Sequence, residues 1–324
     1  MRNLFFALLL SLMPIFSQAQ AKYSDVQVDE ESSLNLTQIT SDNEYVIMPE
    51  VKKGWGGQFY WYTNSVIDVS KDGQQLAYLS LRNKESNIFV KDLTKNGASI
   101  QRTNRKSILD LSYSPDGEFL CFSEPNGNTI QVYQTNAKAG YVCRQITSGN
   151  FDYTPIYTPD MKNIFFSRSE NNNFEIWGFD VNSHLFSSYT IGINPCPVDA
   201  NSLLFVRMTP KGKGEIWRID YQKGMEECVV SDPKRSFTTP SISPDGKWIL
   251  MVGSSLIDKG PRKKYPNTDI FVSSIDGSNL IQLTYHPADD ISPVWGKDGK
   301  SIYFISQRGS SKKVANVWRI DFIR

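Results

Sequence analysis

Residues 111–123 read LSYSPDGEFLCFS: an apolar run, the tetrapeptide Ser114-Pro115-Asp116-Gly117, then a second apolar run. Pro115 pre-sets φ for the first corner of a tight turn, Asp116 tolerates the second, and Gly117 closes it where a positive φ costs little. Two β-prone runs joined this way make a hairpin. A lone hairpin is marginal in water, so its return as PSISPDGKWILMVGS at 240–254 implies copies that stack on one another.

Aligned on the turn, six copies appear, with aspartates Asp72, Asp116, Asp160, Asp199, Asp245 and Asp298 at steps of 44, 44, 39, 46 and 53 residues. Each copy continues into an alternating third strand: NIFVKDL, IQVYQTN, EIWGFDV, EIWRIDY, DIFVSSID and NVWRIDF. A fourth segment such as CRQITSG or LIQLTYH follows all copies but the last, and SLNLTQITSDN at 33–43 carries the same Gln-Ile-Thr pattern with no strands before it. A period in the forties with four short strands predicts an all-β fold: a six-bladed β-propeller, closed by the N-terminal strand (about 34–43) joining the last blade. The blades are expected at about 66–103, 108–149, 152–192, 193–235, 237–287 and 289–322, a single domain over 22–324.

The chain has 324 residues with 35 basic and 34 acidic side chains, so no net field marks nucleic acid or an anionic membrane as a partner. MRNLFFALLLSLMPIFSQAQA at 1–21 reads as a secretory signal peptide, with cleavage after Ala19 or Ala21, too short for a span and with no cysteine at the mature start for a lipid. A periplasmic or secreted location follows. Cys121, Cys143, Cys196 and Cys228 match no zinc spacing; export permits disulfides, while Cys121 in its apolar strand reads as a buried free thiol.

With the Ser-Pro-Asp-Gly turns at 114–117 and 243–246 and the strand ends CRQIT and LIQLT, the chain resembles TolB-like propellers of the WD40-like, PD40 repeat family over roughly 34–324. About a dozen residues lie between the expected cleavage and the closing strand, so the α/β domain that precedes the propeller in TolB is expected to be lacking. The resemblance implies a periplasmic binding role. It is specific for fold and weak for function, because the same propeller serves as scaffold, peptidase companion and polysaccharide lyase.

In such a blade the Ser-Pro-Asp-Gly turns lie on one face of the disc, and the inter-blade and second-to-third-strand loops on the other. The turn aspartates are therefore expected to form turns. On the opposite face, the segments 149–155, 234–240 and 286–293 read as inter-blade loops, with Asp152 and Asp290 each three residues before a proline. They would hold a cation or a basic segment, or fix their loops through local hydrogen bonds. Arg82, Arg168, Arg207 and Arg308 fall at or just after second strands and either read carboxylate or phosphate on a partner or pair with those aspartates. The long loop 254–269 of the fifth copy offers Arg262, Lys263 and Lys264 for a partner contact, or is a solvated loop. Trp55 and Trp61, in the crossing stretch 51–65, either stack on a sugar or peptide or pack that stretch onto the disc. His286, beside Asp289 and Asp290, is the cluster best suited to titrate.

No nucleophile elbow, phosphate loop or metal motif is present, and two histidines are too few for the metal-dependent lyases of the family. The expectation is an exported, non-catalytic binding or scaffold module for an envelope protein or peptide, a monomeric disc with no cofactor, no metal and no membrane span. The alternative is a carbohydrate-active propeller, binding glycan or acting through two carboxylates as a hydrolase or lyase.

Overall fold

The computed structural model describes residues 35–49, 52–53, 60–61, 65–95, 97–139, 141–170, 173–258, 264–310 and 314–322. The expected signal peptide, Trp55, Arg262 and Lys263 lie outside these residues, as do the side chains of Trp61 and Lys264, whose backbones fall in strands. No helix among the described residues is long and apolar enough to cross a membrane.

The chain is all-β. Ahead of the repeats come β1 (Thr37–Gln38), β2 (Lys52–Lys53) and β3 (Tyr60–Trp61), the last two paired with each other. Unit one holds β4 (Ile67–Val69), β5 (Gln75–Arg82), β6 (Glu85–Asp92) and β7 (Ile100–Gln101). Unit two holds β8 (Asp110–Tyr113), β9 (Phe119–Asn126), β10 (Thr129–Asn136) and β11 (Cys143–Gln145). Unit three holds β12 (Phe151–Tyr157), β13 (Asn163–Glu170), β14 (Asn173–Asp180) and β15 (Phe186–Ile191). Unit four holds β16 (Ile193–Pro197), β17 (Ser202–Met208), β18 (Gly214–Asp220) and β19 (Met225–Val230). Unit five holds β20 (Ser236–Ile242), β21 (Trp248–Asp258), β22 (Lys264–Ser274) and β23 (Ile281–Gln282). The last holds β24 (Asp290–Trp295), β25 (Ser301–Ser306) and β26 (Asn316–Asp321), and β1 is its fourth strand. Each unit is an antiparallel meander, and units two and three also touch through the parallel pair Ile130 and Phe151.

The Gln-x-Thr pattern shows why β1 sits there. In unit one, the Thr103 hydroxyl accepts the Ile88 N–H at 2.9 Å and donates to Asn87 Oδ1 at 2.9 Å, while Gln101 Nε2 donates to the Thr103 carbonyl at 2.6 Å. Thr40 repeats this set on β26: it accepts the Val317 N–H at 2.8 Å and donates to Asn316 Oδ1 at 3.0 Å, with Gln38 Nε2 on the Thr40 carbonyl at 2.7 Å. The side chains that end a fourth strand within a unit thus act between segments 276 residues apart.

The core lies between units rather than in any one sheet. Phe165 and Ile176 of unit three pack with Leu203, Phe205 and Ile219 of unit four, and Leu250, Val252 and Ile270 of unit five pack with Trp295, Ile302 and Phe304 of the last. Each such side chain contributes roughly 1.5–3 kcal/mol by leaving water. Runs of consecutive buried residues in the second strands, such as Leu76–Ser80, Leu120–Glu124 and Ile164–Arg168, put buried side chains on both faces of the sheet, so such a sheet requires a neighbour on either side. First strands run beside first strands through the series, and β24 returns to within 8 Å, Cα to Cα, of β4.

One sequence reading is corrected here. The segments 149–155, 234–240 and 286–293 are in large part first strands, β12, β20 and β24, not loops. Thr154, Asn194, Thr239 and Ser292 adopt φ of 51°, 52°, 50° and 50°, each just before a proline, and the pairing register shifts at each. The proline, lacking an N–H, falls inside a β-bulge, so the strand passes through a sequence that reads as a terminator.

Candidate functional site

On the turn face, the aspartates bind their own backbone. Asp116 accepts the Ser114 hydroxyl and the Glu118 N–H, and Ser114 Oγ in turn accepts the Phe119 N–H at 2.9 Å. Ser243 and Asp245, Ser70 and Asp72, and Thr158 and Asp160 repeat the arrangement. Asp199 and Asp298 hold Ser202 and Ser301 instead. These carboxylates are committed to the turns.

Among the described residues, the opposite face carries in each unit an arginine laid over an aromatic ring. Arg82 lies 4.0 Å from the Phe89 centroid, Arg105 4.8 Å from Tyr133, Arg168 4.5 Å from Trp177, Arg207 4.5 Å from Trp217, Arg235 5.4 Å from Phe271 and Arg308 5.1 Å from Phe304. Stacking of this kind is worth about 0.5–2 kcal/mol and fixes the plane of the guanidinium.

Five of the six also meet a carboxylate. Arg168 grips Asp152 bidentately, at 2.8 Å and 3.1 Å, with the Asp152 side chain fully buried. Arg308 pairs with buried Asp290. Arg207 bonds Glu226 at 2.8 Å and Thr190, tying unit four to the edge of unit three. Arg105 pairs with Glu124 at 2.6 Å and Arg235 with Asp232 at 3.2 Å. Asp152 and Asp290 therefore sit against arginines on first strands. Arg82 bonds only Ser80 Oγ, at 3.1 Å, and has no ion pair among the described residues.

Arg105 and Arg235, with Glu124, Glu226 and Asp232, escaped the sequence reading: Arg105, Asp232 and Arg235 lie in connections between units, and Glu124 and Glu226 lie inside β9 and β19. Their signal is a basic pair just before a serine that opens the next unit, RKS at 105–107 and KRS at 234–236. His286 is half-buried, its Nδ1 accepting the Ala288 N–H at 3.0 Å, and Asp289 accepts the Thr268 N–H and hydroxyl from β22. Among the described residues no group of three or more His, Cys, Asp or Glu is placed to hold a metal ion, and all four cysteines are free thiols.

All six first strands line one axial cavity of about 110 Å³, walled partly by Pro155, Pro195, Pro240 and Pro293. Two acids reach it, buried Asp110 and half-buried Asp68. Asp110 accepts the Ser123 N–H and hydroxyl and, from unit three, the Thr154 N–H at 2.9 Å. Burial outweighs these bonds and pushes its carboxyl up to about 6. Asp68 is raised as well, by burial against the pull of Lys297 and of the Tyr113 and Val69 N–H groups. Beside unit one, Glu44 accepts Tyr78 OH, Lys91 Nζ, the Ser99 hydroxyl and the Ser41 N–H. Burial works against its charge, but those donors hold its carboxyl below the usual range.

Meandering four-stranded sheets stacked face to face, with their first strands sharing one cavity, define a β-propeller. Residues 61–194 match the PD40 family, described as the TolB beta propeller domain. A putative TolB from Agrobacterium tumefaciens superposes with a TM-score of 0.62 at 17% identity, over 80% of this chain and 90% of that one. TolB from Acinetobacter baumannii gives 0.61 at 20%, over 76% and 63%. An oligogalacturonate lyase in complex with manganese gives 0.54 at 12%, over 86% and 98%. Among curated proteins, the chain is 29% identical over 204 residues to the uncharacterized peptidase YuxL of Bacillus subtilis; that stretch is 57% of this chain and spans only 29% of YuxL. The chain carries a TolB-like β-propeller.

Proposed function

We propose that the protein is an exported, six-bladed propeller closed by its N-terminal strand, and that it serves as a non-catalytic binding or scaffold module for a protein or peptide partner in the cell envelope. The six four-stranded units are its blades, and the single domain spans 22–324. The carrying observation is one of size: the axial cavity of about 110 Å³ falls below the roughly 300–1,000 Å³ of small-molecule sites, while the face around it is held rigid by stacked and paired arginines. A face whose axial cavity is that small suits a macromolecular surface. Export rests on the N-terminal sequence.

A second reading, glycan binding or carboxylate-based glycan cleavage, has one feature in its favour. A groove of about 110 Å³ on unit three is lined by Trp177, Glu170 and Glu175 with Arg168 and Asn173, an indole beside two acids. The test runs both readings together: the purified protein is used for affinity capture from an envelope extract and is incubated with a glycan panel. Stoichiometric retention of one protein supports the scaffold, and glycan turnover supports the enzyme.

A further inference from the structure

We infer that Arg82 is a receptor for a carboxylate of an acidic, apolar peptide segment, a step that rests on the binding role proposed above. Five of the six stacked arginines spend their charge on a carboxylate of this chain. Arg82 has the tightest stacking of the six, 4.0 Å above Phe89, and its Nε is anchored on Ser80, yet its two terminal nitrogens meet no carboxylate among the described residues.

The neighbouring acids do not fill the gap. Glu85 stands opposite Arg82 in the β5–β6 register but makes no ion pair with it, and Glu44 is saturated by Tyr78, Lys91, Ser99 and the Ser41 N–H. The hairpin tip adds positive charge. Asn83 and Lys84 take φ of 53° and 66°, the mirror-image two-residue turn, which holds exposed Lys84 at the end of the blade. Exposed Lys106 is tethered there too, its carbonyl accepting the Ser86 N–H at 3.0 Å. Arg82, Lys84 and Lys106 against Glu85 leave a local excess of positive charge.

A planar guanidinium with its plane already fixed is suited to grip a carboxylate through two parallel hydrogen bonds. Exposed apolar side chains flank the same strand end: Tyr45 is 52% exposed and Leu81, which alternation turns to the sheet face opposite Arg82, is 51% exposed, and the Leu81 N–H donates to the Tyr45 carbonyl at 2.9 Å. A segment laid over the end of blade one therefore meets cations and apolar side chains together. That favours a peptide in which Asp or Glu alternates with apolar residues over an oligouronide, which has no such side chains.

The experiment measures binding of a fluorescent, end-capped (Leu-Glu)₃ peptide to the full chain by anisotropy, with (Leu-Gln)₃ as reference. Arg82→Gln is expected to weaken (Leu-Glu)₃ binding about tenfold or more, the loss of a charge-assisted bidentate contact. Arg82→Lys, which keeps the charge without the fork, should fall between, Lys84→Glu should weaken binding several-fold, and Lys138→Gln on the turn face should change nothing. Equal binding by Arg82→Gln, equal binding of (Leu-Gln)₃, or tighter binding of trigalacturonate than of the peptide overturns the inference. Capture from the envelope separates the two levels. A partner retained equally by wild type and Arg82→Gln removes the role of Arg82 and leaves the scaffold standing; no partner and no peptide binding by wild type removes both.

Discussion

Thr40→Val tests whether the N-terminal segment is the fourth strand of the last blade. The substitution keeps shape and removes the hydroxyl that accepts the Val317 N–H at 2.8 Å and donates to Asn316 Oδ1 at 3.0 Å. Thr40 is 3% exposed, so water does not replace either bond. An unsatisfied buried amide costs about 1–3 kcal/mol, and the methyl that replaces the hydroxyl offsets less than about 1 kcal/mol of it. The difference is about 1–2 kcal/mol, and at about 2 °C per kcal/mol for a chain of this size the melting temperature should fall by roughly 2–4 °C. Thr103→Val is the internal reference, because Thr103 makes the same two bonds to Ile88 and Asn87 within unit one. Thermal melting and urea titration of both variants should give equal losses. A full loss for Thr103→Val with none for Thr40→Val would refute closure by β1.

Asp152→Asn leaves the Arg168 guanidinium, whose side chain is 10% exposed, without its counter-charge and should cost about 3–5 kcal/mol; the double variant Asp152→Leu, Arg168→Met should recover most of that in urea unfolding. Asp110 titrates near 6 in the folded chain against 3.8 unfolded, so its contribution is most favourable below about pH 4 and is lost as pH rises through 6. Glu44 runs the other way, its stabilisation lost as pH falls below its ordinary range. Between pH 4.5 and 6.5, Asp110→Asn should flatten the decline in urea midpoint with rising pH; a slope unchanged from wild type counts against a proton on Asp110. Gly117 has φ of +78°, and an added Cβ would meet nothing nearer than Lys71 Cβ at 3.6 Å. Gly117→Ala therefore carries backbone strain alone, about 1 kcal/mol, readable as a small drop in melting temperature with binding intact.

The architecture was legible because its determinants are local and repeated. Ser-Pro-Asp-Gly fixes a turn, Gln-x-Thr ends a strand, and both leave a pattern whether or not the partner strand is near in sequence. The stretch 38–40 carries the same local signal: Gln38 and Thr40 make on β26 the bonds that Gln101 and Thr103 make within unit one. The first strands were harder, since Thr154-Pro155 and Thr239-Pro240 look like loop ends, and only the bulge geometry reveals a strand passing through a proline. The charged face was half legible. Arg82, Arg168, Arg207 and Arg308 follow strand ends and could be named, and pairing with Asp152 and Asp290 was one of the two expectations. Which arginine lacks a carboxylate among the described residues depends on how side chains from different strands converge, which spacing alone does not encode.

The most direct measurement is quantitative affinity capture from an envelope extract, run beside a glycan panel with the same purified protein. The account predicts one protein retained at near-stoichiometric level and no consumption of any glycan. Turnover of a glycan with no protein retained would contradict it.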